Sequence, residues 1–305
     1  MISSAADLRL GIIGTDTSHV TAFAKTLNDP ATPDHVAGAR IVAAYKGGSP
    51  DVESSRTRVE NFMKELRDKW GVKIVDAIPD LCSQVDGILI ESVDGRAHLA
   101  QARQAVTCHK PIFIDKPLAS TLDDARAIAK LATDAGVPWF SSSSLRFGEV
   151  QKLRSSNLEG ATVWGPGPLE EHHQLDLSWY AVHPIEMLYA IMGTGCEEVT
   201  RMSTADADVV TGRWRDGRIG TVRALRPYST YGAVVFKKPE GKSRNVTAQF
   251  VDATHAGYGE LVQEIVKFME TKQPPVSNVE TLEIFAFMDA AQRSKESGGR
   301  PMKLR

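Results

Sequence analysis

The chain reads as an α/β protein, with an N-terminal doubly wound parallel sheet followed by a C-terminal α+β domain whose open sheet is largely antiparallel. Three observations predict this. Up to about residue 118, short apolar runs alternate with helical patterns, the order that builds a parallel sheet with crossover helices. From about residue 160 the extended runs are longer and more polar, as in antiparallel strands with one wet face, and Asp216-Gly217 supplies a hairpin turn signal. The first apolar run, Leu8 to Ile13, passes through Gly14-Thr15-Asp16-Thr17-Ser18 into a helical stretch, which is the order of strand, anion-binding turn and helix start.

The elements follow in order. After the Leu8 to Ile13 strand, a helix is expected from His19 to about Leu27, then a second strand from Arg40 to Tyr45, rich in small and β-branched residues. A charged helical stretch spans Pro50 to Trp70, and short strands follow at Val72 to Val75 and Gly87 to Glu91. His98 to Ala105 reads as helix and Pro111 to Ile114 as a fifth strand. Ser120-Thr121-Leu122-Asp123-Asp124 offers an N-cap and first-turn acids to a helix that stops near Gly136, and Val137 to Ser144 reads as strand. Extended runs then fall at Val199 to Thr204, Asp208 to Trp214, Gly220 to Arg226, Ala233 to Lys238 and Asn245 to Phe250. Two helices close the chain, Tyr258 to Glu270 and Glu280 to Lys295. The expected division is residues 1–118 and 119–305.

With 305 residues, 42% hydrophobic and 24% charged, the composition is that of a globular protein with room for two cores. A net charge of −2 gives no general attraction to nucleic acid or to an anionic membrane surface, so neither is an expected partner. No apolar run approaches a membrane span, and Met1 to Leu8 lacks the basic start and apolar centre of a secretory leader. Cys82, Cys108 and Cys196 match no metal or redox spacing and are expected to be reduced, as in a cytoplasmic protein.

Ile112-Phe113-Ile114-Asp115-Lys116-Pro117 carries the strongest hint of chemistry. An apolar strand ends on an acid, a lysine and a proline, at the sheet edge where α/β proteins place their sites. The proline restricts the lysine backbone to an extended state. The alternative is an ordinary turn with a solvated lysine.

The turn after the first strand departs from a three-glycine dinucleotide fingerprint. Gly14 provides the first glycine, but Asp16 and His19 occupy the next two positions. A carboxylate at Asp16 would repel a pyrophosphate unless it turns away; helix capping is its expected task, shared by Thr15, Thr17 or Ser18. Those hydroxyls and the helix N-terminus still suit an anion. At the end of the second strand, Lys46 and Ser49 suit a 2′-phosphate and hint at NADP over NAD, against the alternative of a solvated lysine in a glycine turn.

Taken together, these motifs resemble the Gfo/Idh/MocA oxidoreductases, relatives of glucose–fructose oxidoreductase and inositol dehydrogenase, over nearly the full length. That resemblance implies a Rossmann-like first domain, and the family's Glu-Lys-Pro becomes Asp115-Lys116-Pro117 here. Glu91-Ser92-Val93-Asp94-Gly95-Arg96-Ala97-His98 matches the loop under the nicotinamide, His98 being the family's common histidine. Leu145-Arg146-Phe147 and the ending Pro275 to Leu304 are also similar. The family's Asp-x-Gly-x-His-x-x-Asp motif aligns with Trp179-Tyr180-Ala181-Val182-His183-Pro184-Ile185-Glu186, so its first acid is replaced by Trp179.

The resemblance implies hydride transfer between NAD or NADP and a secondary alcohol of a sugar, cyclitol or similar molecule. The cofactor-binding residues it implies, with those of the turn, are Gly14, Thr15, Thr17, Ser18, His19, Lys46, Ser92, His98, Asp115 and Lys116. The expected catalytic residues are Lys116, His183, Asp176 and Glu186, with Lys116 and His183 converging on one cleft. Histidine is a ready base near neutral pH, and Lys116 would polarise the substrate oxygen or pass the proton. His183 and Glu186, three apart on a helix, are expected to meet; Asp176 is a candidate substitute for the acid missing at Trp179. Glu170-Glu171-His172-His173 reads as a solvated or substrate-bonding cluster in preference to a metal site. A homodimer or homotetramer is expected by the same resemblance. The competing reading is a redox-inactive relative that binds a small molecule or regulates.

Overall fold

The computed structural model describes residues 6–254 and 257–305; Met1 to Ala5, part of the stretch read above for a leader, lie outside them. In chain order the elements are β1 (Leu8–Ile13), α1 (Ser18–Asn28), β2 (Ala39–Tyr45), α2 (Glu53–Arg56), α3 (Val59–Trp70), β3 (Lys73–Val75), β4 (Gly87–Ile90), α4 (His98–Ala105), β5 (Ile112–Asp115), α5 (Leu122–Asp134) and β6 (Trp139–Ser142). There follow β7 (Leu158–Pro166), α6 (Val182–Met192), β8 (Cys196–Ser203), β9 (Ala207–Trp214), β10 (Ile219–Leu225), β11 (Gly232–Lys237), β12 (Thr247–Asp252), α7 (Gly259–Thr271), α8 (Asn278–Glu296) and β13 (Met302–Lys303). The fold class is the one the sequence predicts. No described helix is long and apolar enough to cross a membrane.

Two compact units divide the chain. The first holds residues up to Ala119 with Asp123–Ser142 and Tyr258–Asn278, and the second holds Ser120–Leu122, Ser143–Gly257 and Val279–Arg305. The chain thus crosses the neighbourhood of residue 118 and then returns twice to the first unit. Aromatic packing explains both returns: Phe113 on β5 meets Phe140 on β6 at 4.9 Å between ring centroids, and Phe140 meets Phe268 on α7 edge-on at 4.9 Å. Each fully buried phenylalanine contributes about 1.5–3 kcal/mol through its area, and the ring pairs add to that.

In the first unit six parallel strands lie in the order β3-β2-β1-β4-β5-β6. The order reverses direction between β1 and β4, which sets the switch point beside the β1–α1 turn. Leu10, Ile12 and Ile13 of β1 and Ile88 to Ile90 of β4 are fully buried, because helices cover both faces of such a sheet. The charged stretch expected as one helix is two, α2 and α3, and α3 stops at Gly71, whose φ of +66° is the left-handed cap that ends helices.

In the second unit seven strands follow the order β12-β11-β7-β10-β9-β8-β13. All pair antiparallel except β7, which runs parallel to β10. Strand β7 escaped the sequence reading because Gly160, Gly165 and Pro166 interrupt its pattern. Helix α6 lies over this sheet with every residue buried, as a mean hydropathy without a polar face requires.

The cysteines differ from expectation. Cys82 and Cys108 form a disulfide with Cα atoms 4.8 Å apart, and only Cys196 is free. The reason is topological: Cys82, just after the 3₁₀ turn of 78–81, meets Cys108, the last residue of the 3₁₀ turn of 106–108, although 26 residues separate the two thiols in sequence. Closing such a loop stabilises the folded chain by about 3.5 kcal/mol in the chain-entropy picture. Thiol titration of the unfolded protein is therefore expected to find one thiol per chain without reductant and three with it; three in both conditions would contradict the bond. A Cys82→Ser variant is expected to lose roughly 2–4 kcal/mol in urea unfolding.

Candidate active site

The first unit concentrates its polar residues where β1, β4 and β5 end. Gly14 closes β1 with φ +90°, and a Cβ there would lie 2.2 Å from Ser92 Oγ, so only glycine fits. Gly47 is also tightly packed, its own Cβ position lying 2.9 Å from Gly14 Cα. The turn is tied to the end of β2, because Gly14 N–H donates to Tyr45 O and Thr15 N–H to Lys46 O. Thr15 turns its hydroxyl inward, to Lys46 O and Val59 O.

Asp16 is the decisive residue of this turn. It does not cap α1. Its carboxylate is fully buried and accepts from Ser55 Oγ at 2.6 Å and from Val93 N–H at 3.0 Å. Thr17 takes the capping role, accepting from His19 N–H, and Ser18 stands exposed at the first helical position. The carboxylate that would have repelled a pyrophosphate has therefore turned away. An anion at the start of α1 meets a helix N-terminus and an exposed hydroxyl, and in that respect the residues present fit a dinucleotide.

The remaining predicted cofactor residues take these places. Ser92 is buried and accepts from Gln101 Nε2 at 2.7 Å. His98 is wholly buried, with Nε2 2.8 Å from Ser92 O and Nδ1 3.2 Å from Leu118 O. Burial holds its pKa below the ordinary histidine value. It braces the loop after β4 against the segment after Lys116-Pro117, a positioning role in place of the direct contact expected. Lys46 pairs with Glu60 on α3, so its expected task of meeting a 2′-phosphate faces a competing carboxylate. His19 approaches Asp115, Nδ1 to Oδ2 at 2.7 Å, and Lys116 follows, largely buried. Burial pushes the Asp115 carboxyl up, but the charges of His19 and Lys116 outweigh it and hold the group below its usual range.

In the second unit the predicted residues separate into three groups. His183, on the first turn of α6, places Nδ1 2.7 Å from Ser143 Oγ and packs against the Tyr180 and Tyr231 rings. Glu186 does not orient it as expected: its carboxylate is held by Arg146 Nε at 2.7 Å, and Arg146 also reaches Glu280 at 2.6 Å. Burial pushes the Glu186 pKa up even beside that guanidinium. Asp176 belongs to neither, being bound by Arg201 at 2.6 Å and Lys295 at 2.7 Å. Its expected catalytic role thus competes with two cations. His172 pairs with Glu170, and His173 contacts Ser178 Oγ and packs edge-on against Trp179. Sequence reasoning missed Ser143; a serine run, 141–144, just before Arg146 was the only signal for it.

Residues 8–142 match the model of an oxidoreductase family with the NAD-binding Rossmann fold, Gfo/Idh/MocA. Over this stretch, which is less than half of the chain, the sequence is similar to that family. No curated protein matches the chain in sequence. Among solved structures, it is similar to a probable dehydrogenase from Thermotoga maritima, 20% identical over 97% of this chain and 99% of that one, with a TM-score of 0.74. It is similar also to myo-inositol dehydrogenase from Lactobacillus casei, solved with NAD(H) and myo-inositol: 18% identical, 98% and 97% covered, TM-score 0.72. A third, an oxidoreductase from Agrobacterium radiobacter solved with NAD+, L-tartaric acid and magnesium, is 15% identical, 98% and 99% covered, with a TM-score of 0.71. The family is one of NAD(P)-dependent oxidoreductases, and its cofactor is a nicotinamide dinucleotide.

The buried pair of Arg201 and Asp208 gives the second unit a pH signature. Asp208 is pushed up by burial but more strongly held down by hydrogen bonds from Arg201, Ser203 and Arg226, so its pKa lies below the usual range. A depressed carboxyl contributes stability that is complete above the unfolded value near 4 and is lost as pH falls through the lower folded value. Asp208→Asn takes one of two carboxylates from the buried Arg201 guanidinium, leaving Asp176 in place, and is expected to lose about 1.5–3 kcal/mol at pH 7. The difference from the natural chain should shrink at acid pH. Urea unfolding at both pH values checks this, and a loss under about 1 kcal/mol at pH 7 would contradict it.

Proposed function

We propose that the chain is a dehydrogenase that moves a hydride between a nicotinamide dinucleotide and a secondary alcohol of a sugar, cyclitol or related polyol. The observation that carries this reading is the inward turn of Asp16, which keeps the start of α1 open to a pyrophosphate despite the altered glycine motif. The structures with bound NAD(H) and myo-inositol, or with NAD+ and L-tartaric acid, support the substrate class by analogy alone.

When bound, the nicotinamide supplies the hydride acceptor. The chain's own groups handle the proton and the charge. In the tautomer that donates Nδ1–H to Ser143 Oγ, the Nε2 lone pair is left as the base for the substrate hydroxyl. The Lys116 ammonium stabilises the oxyanion that develops as the proton leaves. Arg146 and Glu186 hold α6 and thereby the angle of His183.

Titration by fluorescence is expected to show saturable binding of NADH below millimolar concentration. NADPH should bind more weakly, because its 2′-phosphate must approach the Lys46–Glu60 pair, and Glu60→Gln should narrow that difference. Lys116→Met and His183→Ala are each expected to reduce polyol turnover by about 10²–10⁴-fold with NADH binding little changed for the histidine variant. Failure of both dinucleotides to bind at millimolar levels would overturn the proposal.

The same reading includes a homo-oligomer. The second unit's sheet leaves Met202, Ile219, Phe236 and Phe250 exposed, and a second copy of the chain is the partner proposed to cover them. Light scattering is expected to give a dimer or tetramer mass; Phe236→Glu should lower it. A monomer at tens of micromolar would contradict this part.

A further inference from the structure

We propose that His19, Glu91 and Asp115 form a binding site for one divalent first-row transition ion. The three come from separate elements, the first turn of α1, the end of β4 and the end of β5, and the topology of the parallel sheet brings them to one edge. One ligand atom from each lies within 4.8 Å of the others. All three side chains are at least nine-tenths buried, at 8, 0 and 1% exposure.

Unspent bonding capacity is what separates this cluster from an ordinary ion pair. Neither oxygen of Glu91 has a hydrogen-bond partner, while Asp115 beside it has only His19 and Lys116. His19 Nδ1 sits 2.7 Å from Asp115 Oδ2, so imidazole and carboxylate already face each other. The Glu91 carboxylate is therefore buried without a bond, beside a histidine and a second carboxylate. Buried polar atoms in native proteins are nearly always paired, and a group of them left unpaired points to an ion.

The donor set decides which ion. One imidazole nitrogen and two carboxylate oxygens suit Mn²⁺, Fe²⁺, Co²⁺ or Zn²⁺; Ca²⁺ needs six to eight oxygens, and Mg²⁺ retains its waters. Ligand bonds of about 2.0–2.2 Å ask the most distant donors to approach by a rotation of the flexible Glu91 side chain. The His19 ring is already positioned for this, stacked on Phe23 at 5.7 Å and tilted against Tyr258 at 4.9 Å. With three protein ligands the fourth position is left for a water.

This inference stands apart from the dehydrogenase reading, because its test needs no substrate. The full-length chain, stripped with EDTA, is titrated with Co²⁺ and followed by visible absorption and calorimetry. One equivalent with a d–d spectrum is expected. Glu91→Gln and His19→Ala should each weaken it by more than the roughly 10–100-fold that loss of an outer partner costs. His172→Ala, whose imidazole pairs with Glu170 instead, should leave it unchanged. Absence of one-equivalent binding, or binding indifferent to both Glu91→Gln and His19→Ala, overturns the proposal. Should either variant fail to fold, anomalous diffraction from a Zn²⁺-soaked crystal decides: a peak among the three side chains upholds the site, and no peak there refutes it.

Discussion

Three carboxylates, Asp16, Glu91 and Asp115, are buried where the strands of one parallel sheet end. Removing a charged carboxyl from water costs several kcal/mol unless it is neutralised or bonded, and the first unit meets that cost differently at each position. Asp16 takes a serine hydroxyl and a backbone N–H. Asp115 has His19 and Lys116 close by. At Glu91, burial comes first and the nearby Asp115 charge second in pushing the pKa well up, with Lys116 opposing them. A cation at the same place would oppose both effects.

The arrangement explains why the β1–α1 turn keeps its shape without two of the three usual glycines. Those glycines allow close approach; here Gly14 and Gly47 supply the approach between the turn and the end of β2, and Asp16 is anchored to the loop after β4 through Val93. His98 fastens that same loop to the segment after Lys116. Turn, loop and lysine are therefore one connected structure, in which moving Asp16 disturbs the backbone at residue 93 and, through Ser92 and His98, the neighbourhood of Lys116. The second unit follows a similar logic with opposite sign: Arg146 and Arg201 are buried guanidiniums, each bounded by two or more carboxylates.

Much of the fold was legible in the sequence because burial on both faces writes itself as unbroken apolar runs. Leu8 to Ile13 is read directly and Gly87 to Glu91 to within one residue, and the alternation in β9 and β10 shows a wet face. What failed were features whose partners lie far apart in sequence. Strand β7 is disguised by its glycines. The Cys82–Cys108 bond depends on two turns meeting. Motifs singled out Lys116, His183 and Asp16 as candidates, but not the residues that hold the last two: Ser143 lies 40 residues from His183 and Ser55 lies 39 from Asp16. Spacing along a helix suggested that Glu186 would serve His183, yet on a fully buried helix a carboxylate goes to the nearest buried cation, and that is Arg146.

The central claim is that the Asp16 carboxylate stays turned inward so that an anion can occupy the start of α1. A crystal structure of the chain soaked with NADH tests it most directly. The account predicts the pyrophosphate against Ser18 and the helix N-terminus, with Asp16 still bonded to Ser55 and Val93. A pyrophosphate bound elsewhere, or an Asp16 side chain swung out toward it, would contradict the account.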